Sequence, residues 1–148
     1  MRKHTNSPWL PSIIVSDIDQ KRLSGVATAT MVRIPEVAEE LLSEIERATV
    51  VEAAAIPPNV VRMGSIVQFR TDEGQHRHVT LVFPGEADIT NGKISVLTPV
   101  GAALIGLTEG QSIMWRTRDG RDQRLTILAV KLPPAVVTSK PSLGNVGT

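Results

Sequence analysis

The hydrophobic pattern divides the chain into a helical half followed by a half of short strands. From Pro35 to Ala48, apolar residues recur at the three- and four-residue spacing of an amphipathic helix, and Pro35 suits its first turn. Residues 17–29 form a weaker helical stretch, where Ser16 and Asp19 make an acidic form of the capping box. Two helices joined by a short loop are expected to pack antiparallel as a hairpin.

Beyond Asn59 the apolar period changes from helical spacing to alternation, which is typical of strands. Strands are expected at residues 65–71, 76–84, 94–97, 112–118 and 125–132. In the last of these, the alternation places Leu128, Val130 and Leu132 on one face. The predicted fold class is therefore α+β: a short antiparallel helical hairpin, then a small antiparallel sheet with one short helix.

The segment 94–111 is almost wholly apolar between its turns and is expected to form the middle of the core. Thr98 can cap a short helix that Pro99 begins, because the proline N–H is not needed in a first turn. Gly106 suits the left-handed exit from that helix.

Composition shifts predict four regions. These are a flexible arm at 1–15, the hairpin at 16–56, the sheet domain at 57–132 and a disordered tail at 133–148. The stiff pair Pro57-Pro58 marks the central boundary. Two arrangements stay open: a hairpin tethered at a fixed angle, or a helix pair packed onto the sheet domain.

Composition argues against several classes of function. The net charge of the 148 residues is +1, so no strong direct nucleic-acid binding is expected. No segment is long enough to span a membrane, and a cytoplasmic protein is expected. There is no cysteine, and His76 and His78 share a strand face without a third ligand. We therefore expect no enzyme activity, no cofactor and no metal.

Residues 94–115, ISVLTPVGAALIGLTEGQSIMW, resemble the signature of the C-terminal domain of the Gre transcription elongation factors. The similarity extends back through residues 60–65, 80–84 and 86–88, and is closest to a shorter branch, the regulators of nucleoside diphosphate kinase (Rnk). The resemblance implies an FKBP-like sheet domain. Prolyl isomerase activity is not expected, because two Phe, two Trp and no Tyr are too few rings to line the isomerase pocket.

The resemblance also implies a partner, bacterial RNA polymerase, bound at the rim of its secondary channel in possible competition with Gre factors. The docking turn of the family matches Leu97, Thr98, Pro99 and Val100 in this sequence. The alternative is that these residues have no binding role and only connect a strand to a helix. The implied function is a non-enzymatic transcription regulator; the alternative is an interaction module with a non-polymerase partner, bound through the sheet edge or the acidic hairpin.

The hairpin tip is a second, weaker candidate contact, made of Val32, Arg33 and Glu36. In Gre factors an acidic pair at the tip of a long coiled coil holds the magnesium ion used for transcript cleavage. Here the corresponding segment, 25–36, offers Glu36 alone, and helices of this length reach only about 20 Å. No stimulation of transcript cleavage is expected.

Overall fold

The computed structural model describes residues 11–117 and 119–132. In chain order the elements are β1 (Ile14–Ser16), α1 (Asp17–Thr30), α2 (Pro35–Arg47), β2 (Thr49–Val51), β3 (Ile66–Thr71), β4 (His76–Val82), β5 (Lys93–Ser95), α3 (Pro99–Leu104), β6 (Ser112–Arg116) and β7 (Asp122–Lys131). Short 3₁₀ turns lie at Ala53–Ala55, Pro84–Glu86 and Ile89–Asn91.

The two N-terminal helices form where the sequence predicts them. The hydroxyl of Ser16 accepts the N–H of Asp19 at 3.0 Å and so caps α1. The return half of the expected capping box is not made, because the Asp19 carboxylate accepts the N–H of Met63 instead, at 3.2 Å. Leu41 and Ile45 on α2 are buried in one cluster with Leu23 of α1. The hairpin is thus held by a shared apolar seam.

A two-stranded parallel ribbon closes the base of the hairpin, and the sequence did not predict it. β1 enters α1 directly, β2 follows α2, and the two strands pair in register from Ile14 with Thr49. Ile13 and Val15 are buried. The expected flexible arm at 1–15 is therefore wrong for residues 11–15, because Ile13 and Val15 fill the core and the carbonyl oxygens of Pro11 and Ser12 accept hydrogen bonds from Arg47 and Gln111. Residues 1–10 lie outside the described residues, as does the expected tail at 133–148.

The remaining strands form one five-stranded sheet in the order β5-β4-β3-β7-β6. The α+β class is confirmed, but the sheet is mixed rather than antiparallel, because β5 runs parallel to β4. Residues 83–92, with their two 3₁₀ turns, carry the chain back along the sheet. A two-residue hairpin could not make that connection, since parallel strands need a longer return path.

A β-bulge in β7 changes which side chains reach the core. Gln68 pairs with Ala129, but Phe69 pairs with Ile127, so Leu128 is the extra residue. Val130 is consequently buried with Ile127, while Leu128 is 43% exposed. The expectation that Leu128 shares a face with Val130 is wrong, because simple alternation does not continue through a bulge.

Hairpin and sheet share a single apolar core. Leu23 and Leu41 from the hairpin belong to the same buried cluster as Phe69 and Leu81 from the sheet. Of the two arrangements that the sequence left open, the packed helix pair is the one observed. No helix among residues 11–117 and 119–132 is both long enough and apolar enough to cross a membrane.

Candidate partner-binding site

The turn between β5 and α3 satisfies its own polar groups. The Ser95 hydroxyl accepts the N–H of Leu97 at 2.9 Å. The Thr98 hydroxyl donates to the carbonyl oxygen of Ser95 at 2.8 Å and accepts the N–H of Gly101 at 3.0 Å. The Thr98 N-cap predicted from the sequence is therefore present, and a second hydrogen bond ties it to the preceding strand. Such a turn is ordered before any partner arrives.

Gly101 lets α3 lie against the end of β5. A Cβ atom at this position would sit 2.2 Å from the carbonyl oxygen of Ser95 and 2.9 Å from Cα of Val96. Both atoms belong to the backbone and cannot rotate away. The helix start and the strand end are therefore locked at a separation that only glycine permits.

The four predicted docking residues are all half-buried. Leu97 and Val100 pack against the core cluster, as does Trp115 on β6, the strand that α3 contacts. The Trp115 indole nitrogen is buried with no hydrogen-bond partner among the described residues. The turn thus combines accessible atoms with a rigid apolar support, and the residues have a structural role as well as any binding role.

The hairpin tip lies at the opposite end of the helices from the β1–β2 ribbon, about 20 Å away by helix length. Val32 is 93% exposed, and Arg33 and Glu36 are exposed beside it. No group of three His, Asp or Glu side chains able to hold a metal ion occurs in residues 11–117 and 119–132. An apolar side chain exposed at the end of a helical hairpin is available for contact with another molecule.

Polar contacts fix the hairpin to the sheet domain. The Asp19 carboxylate accepts the Met63 N–H, and the guanidinium of Arg22 lies 4.3 Å from the centre of the Phe83 ring. Burial raises the pKa of Asp19 above its ordinary value, although Met63 and the nearby guanidinium groups of Arg22 and Arg62 act in the opposite direction. The tip is therefore held in one orientation relative to the sheet.

A second anchor lies at the end of α2. Arg47 pairs with Glu44 at 2.7 Å and also donates to the carbonyl oxygen of Pro11. Burial raises the pKa of Glu44, and the hydrogen bond from Arg47 partly offsets that effect. This contact joins the entry to β1 to the base of the hairpin.

Two family models match the chain. Residues 56–132 match the C-terminal domain of the transcription elongation factors GreA and GreB, and residues 11–51 match the Rnk N-terminus. The chain belongs to the GreA/GreB family, in the branch that joins this domain to an Rnk N-terminal segment.

Known relatives agree with this assignment. The regulator of nucleoside diphosphate kinase of Escherichia coli K12 is 35% identical over 125 residues, which cover 84% of this chain and 92% of that protein. The transcription elongation factor GreA of Thermodesulfovibrio yellowstonii is 40% identical over 78 residues, 51% of this chain and 48% of that protein. A solved GreA/GreB elongation factor from Nitrosomonas europaea is 36% identical and superimposes with a TM-score of 0.66, covering 81% of this chain and 99% of the other.

Sequence reasoning found the turn and the tip but missed what holds them in place. Thr98 and Pro99 carry recognisable helix-start chemistry, so the turn could be located. The contact of Asp19 with Met63 spans 44 residues, and no local pattern signals it. The orphaned Trp115 indole was also missed, because it depends on how α3 lies over β6.

Proposed function

We propose that this protein is a non-enzymatic transcription regulator that binds bacterial RNA polymerase at the rim of the secondary channel. The observation that carries the proposal is the turn Leu97, Thr98, Pro99 and Val100, which is internally hydrogen-bonded, half-exposed and supported by the core. A preordered turn loses little conformational entropy on binding. Family membership supports RNA polymerase as the partner, and binding to it would place the protein in the cytoplasm.

In this proposal the hairpin adds a second contact. Asp19 and Arg22 fix the hairpin to the sheet domain, and the exposed tip residues Val32 and Arg33 would touch the polymerase when the turn docks. A partner that contacts both the turn and the hairpin tip would bind more tightly, because the protein already holds the two sites at a fixed separation. A Gre factor could then not bind the same channel rim, so this protein would regulate transcription by competing with Gre factors for RNA polymerase.

Substituting the turn tests this proposal. Thr98→Ala combined with Pro99→Ala should weaken binding to core RNA polymerase about tenfold, which corresponds to about 1.4 kcal/mol. Ser112→Ala is the control, because it removes a hydroxyl that makes a 2.7 Å contact with Thr126 on another part of the sheet. Equal affinity of the turn variant and the wild-type protein would refute the assignment of the turn.

The proposal also excludes stimulation of transcript cleavage. Glu36 is the one carboxylate at the tip segment 25–36, and a single carboxylate is a poor site for a magnesium ion that must also contact RNA. A backtracked elongation complex incubated with the protein should yield no shortened RNA, while a Gre factor in parallel should yield it. Shortened products with this protein would contradict the proposal.

A partner other than polymerase is the alternative. The face of the five-stranded sheet that points away from the core favours it, because this face is open and is not used by the turn.

A further inference from the structure

The outer face of the sheet, opposite the core, carries an uncovered set of cations. We call it the open sheet face. Its members include the outward residues Ile66, Gln68, Arg70, His76, His78, Thr80, Lys93, Arg124, Thr126, Leu128, Ala129 and Lys131. The net charge of +1 does not reveal these cations, because glutamates on α2 balance them in the total. The five glutamates are at positions 36, 39, 40, 44 and 46.

Of the cations Arg70, Lys93 and Lys131, strand register places a carboxylate beside Lys93 alone. Arg70 lies opposite His76 and Thr126, and Lys131 opposite Ile66, whereas Lys93 lies opposite Thr80 on one side and Asp88 on the other. The ion pairs found in the described part of the chain involve none of these three cations. Cations without an ion-pair partner on three of the five strands, β5, β3 and β7, create a positive potential that favours an acidic partner.

The centre of the face holds a shallow depression with one exposed aliphatic side chain. The bulge turns Leu128 outward, where it is 43% exposed. Leu128 lines the depression together with Gln68, Phe69, His76, Arg77 and His78. An exposed apolar side chain surrounded by polar and charged groups is common in protein interfaces.

Carboxylates mark where the face ends. Asp72 donates its N–H to the carbonyl oxygen of Arg124, and Asp122 lies opposite Arg116. Both aspartates are at the end of the sheet near the β3–β4 turn. Arg70 lies near this same end, two residues before Asp72, whereas Lys93 and Lys131 lie near the opposite end, in register with Thr80 and Ile66. Leu128 lies between Arg70 and Lys131 along the sheet, so cations flank the exposed apolar side chain.

We propose that the open sheet face binds an acidic segment of another protein, with carboxylates on Arg70, Lys93 and Lys131 and an apolar side chain on Leu128. Nucleic acid fits less well. The face exposes no Phe, Tyr or Trp ring on which bases could stack, and Leu128 at its centre suits an apolar side chain of a protein better than a phosphate. The inference goes beyond polymerase docking, because it uses neither the turn nor the hairpin tip.

A defined peptide tests the proposal. The probe is a labelled peptide rich in Glu with one central Leu, measured by fluorescence anisotropy at low salt. Binding should occur, and replacing the central Leu of the peptide by Ser should weaken it about fivefold. Amide shifts of the isotopically labelled protein should map to residues 66–70, 76–80 and 127–131. Shifts confined to the hairpin, or no binding, would overturn the proposal.

Variants of the protein separate this site from general charge effects. Arg70→Glu should weaken peptide binding about tenfold, and Leu128→Ser about fivefold. Lys21→Glu makes the same charge change on the exposed side of α1 and should alter binding by less than about twofold. An equal loss for Lys21→Glu, tighter binding of a DNA duplex than of the peptide, or self-association abolished by Arg70→Glu would each overturn the proposal. Polymerase binding should be unchanged in Arg70→Glu, so the two proposals fail independently.

Discussion

Replacing Gly101 by alanine should destabilise the protein even though alanine is the better helix former. The added Cβ would lie 2.2 Å from the carbonyl oxygen of Ser95 and 2.9 Å from the Thr98 hydroxyl oxygen. Relieving the first contact requires α3 to move by roughly 1 Å, which strains a packed segment at a cost of about 1–3 kcal/mol. The move also loosens the Thr98 cap, worth about 1 kcal/mol, while helix propensity returns about 1 kcal/mol. The net expectation is a loss of about 1–3 kcal/mol.

Urea unfolding followed by circular dichroism measures this loss, and the chain contains a matched control. Gly25 lies inside α1 with open space around it, since a Cβ there would meet nothing within 4 Å. Gly25→Ala should therefore stabilise the protein by about 0.5–1 kcal/mol. A Gly101→Ala variant as stable as the wild-type protein would show that α3 is not locked against β5, and would refute the account of a preordered turn.

Further predictions concern single polar groups. Trp115→Phe should keep or raise the unfolding free energy, by up to about 1 kcal/mol in urea titrations, because it removes a buried donor that has no partner in the described residues. The pKa of the Asp19 carboxyl is raised in the folded protein, so folding favours the protonated form of this side chain. The free energy of unfolding should therefore fall as the pH rises from 3.8 through the folded-state pKa. Asp19→Asn keeps an acceptor for the Met63 N–H without the charge, so the stability of this variant relative to wild type should increase over that pH range. A difference in unfolding free energy that does not change with pH would show that Asp19 is not the titrating group. Ser16→Ala should lower the thermal midpoint through loss of about 1 kcal/mol of capping, and an unchanged midpoint would show that Asp19 N–H finds another acceptor.

Local chemistry made much of the fold predictable from sequence. The strong apolar period of α2, the Ser16 cap and the sequence Thr98-Pro99 each act over a few residues, so their patterns are visible in the chain. The strands were located for the same reason, within a few residues of their ends.

Features that depend on distant residues could not be predicted. β1 is three residues long and finds its partner 35 positions later, at Thr49. The bulge at Leu128 is a property of two paired strands, and it reversed the predicted faces beyond it. The cations of the open sheet face could not be predicted for the same reason. They come from three strands that are distant in the sequence, and the total charge of the chain is near zero.

Competition for core RNA polymerase tests the central claim most directly. The labelled protein would be titrated with bacterial core enzyme, and the complex then challenged with a Gre factor. The account predicts saturable binding that the Gre factor removes completely, at concentrations matching its own affinity for the enzyme. Absence of binding, or a complex that survives a saturating Gre factor, would contradict a shared site at the secondary-channel rim.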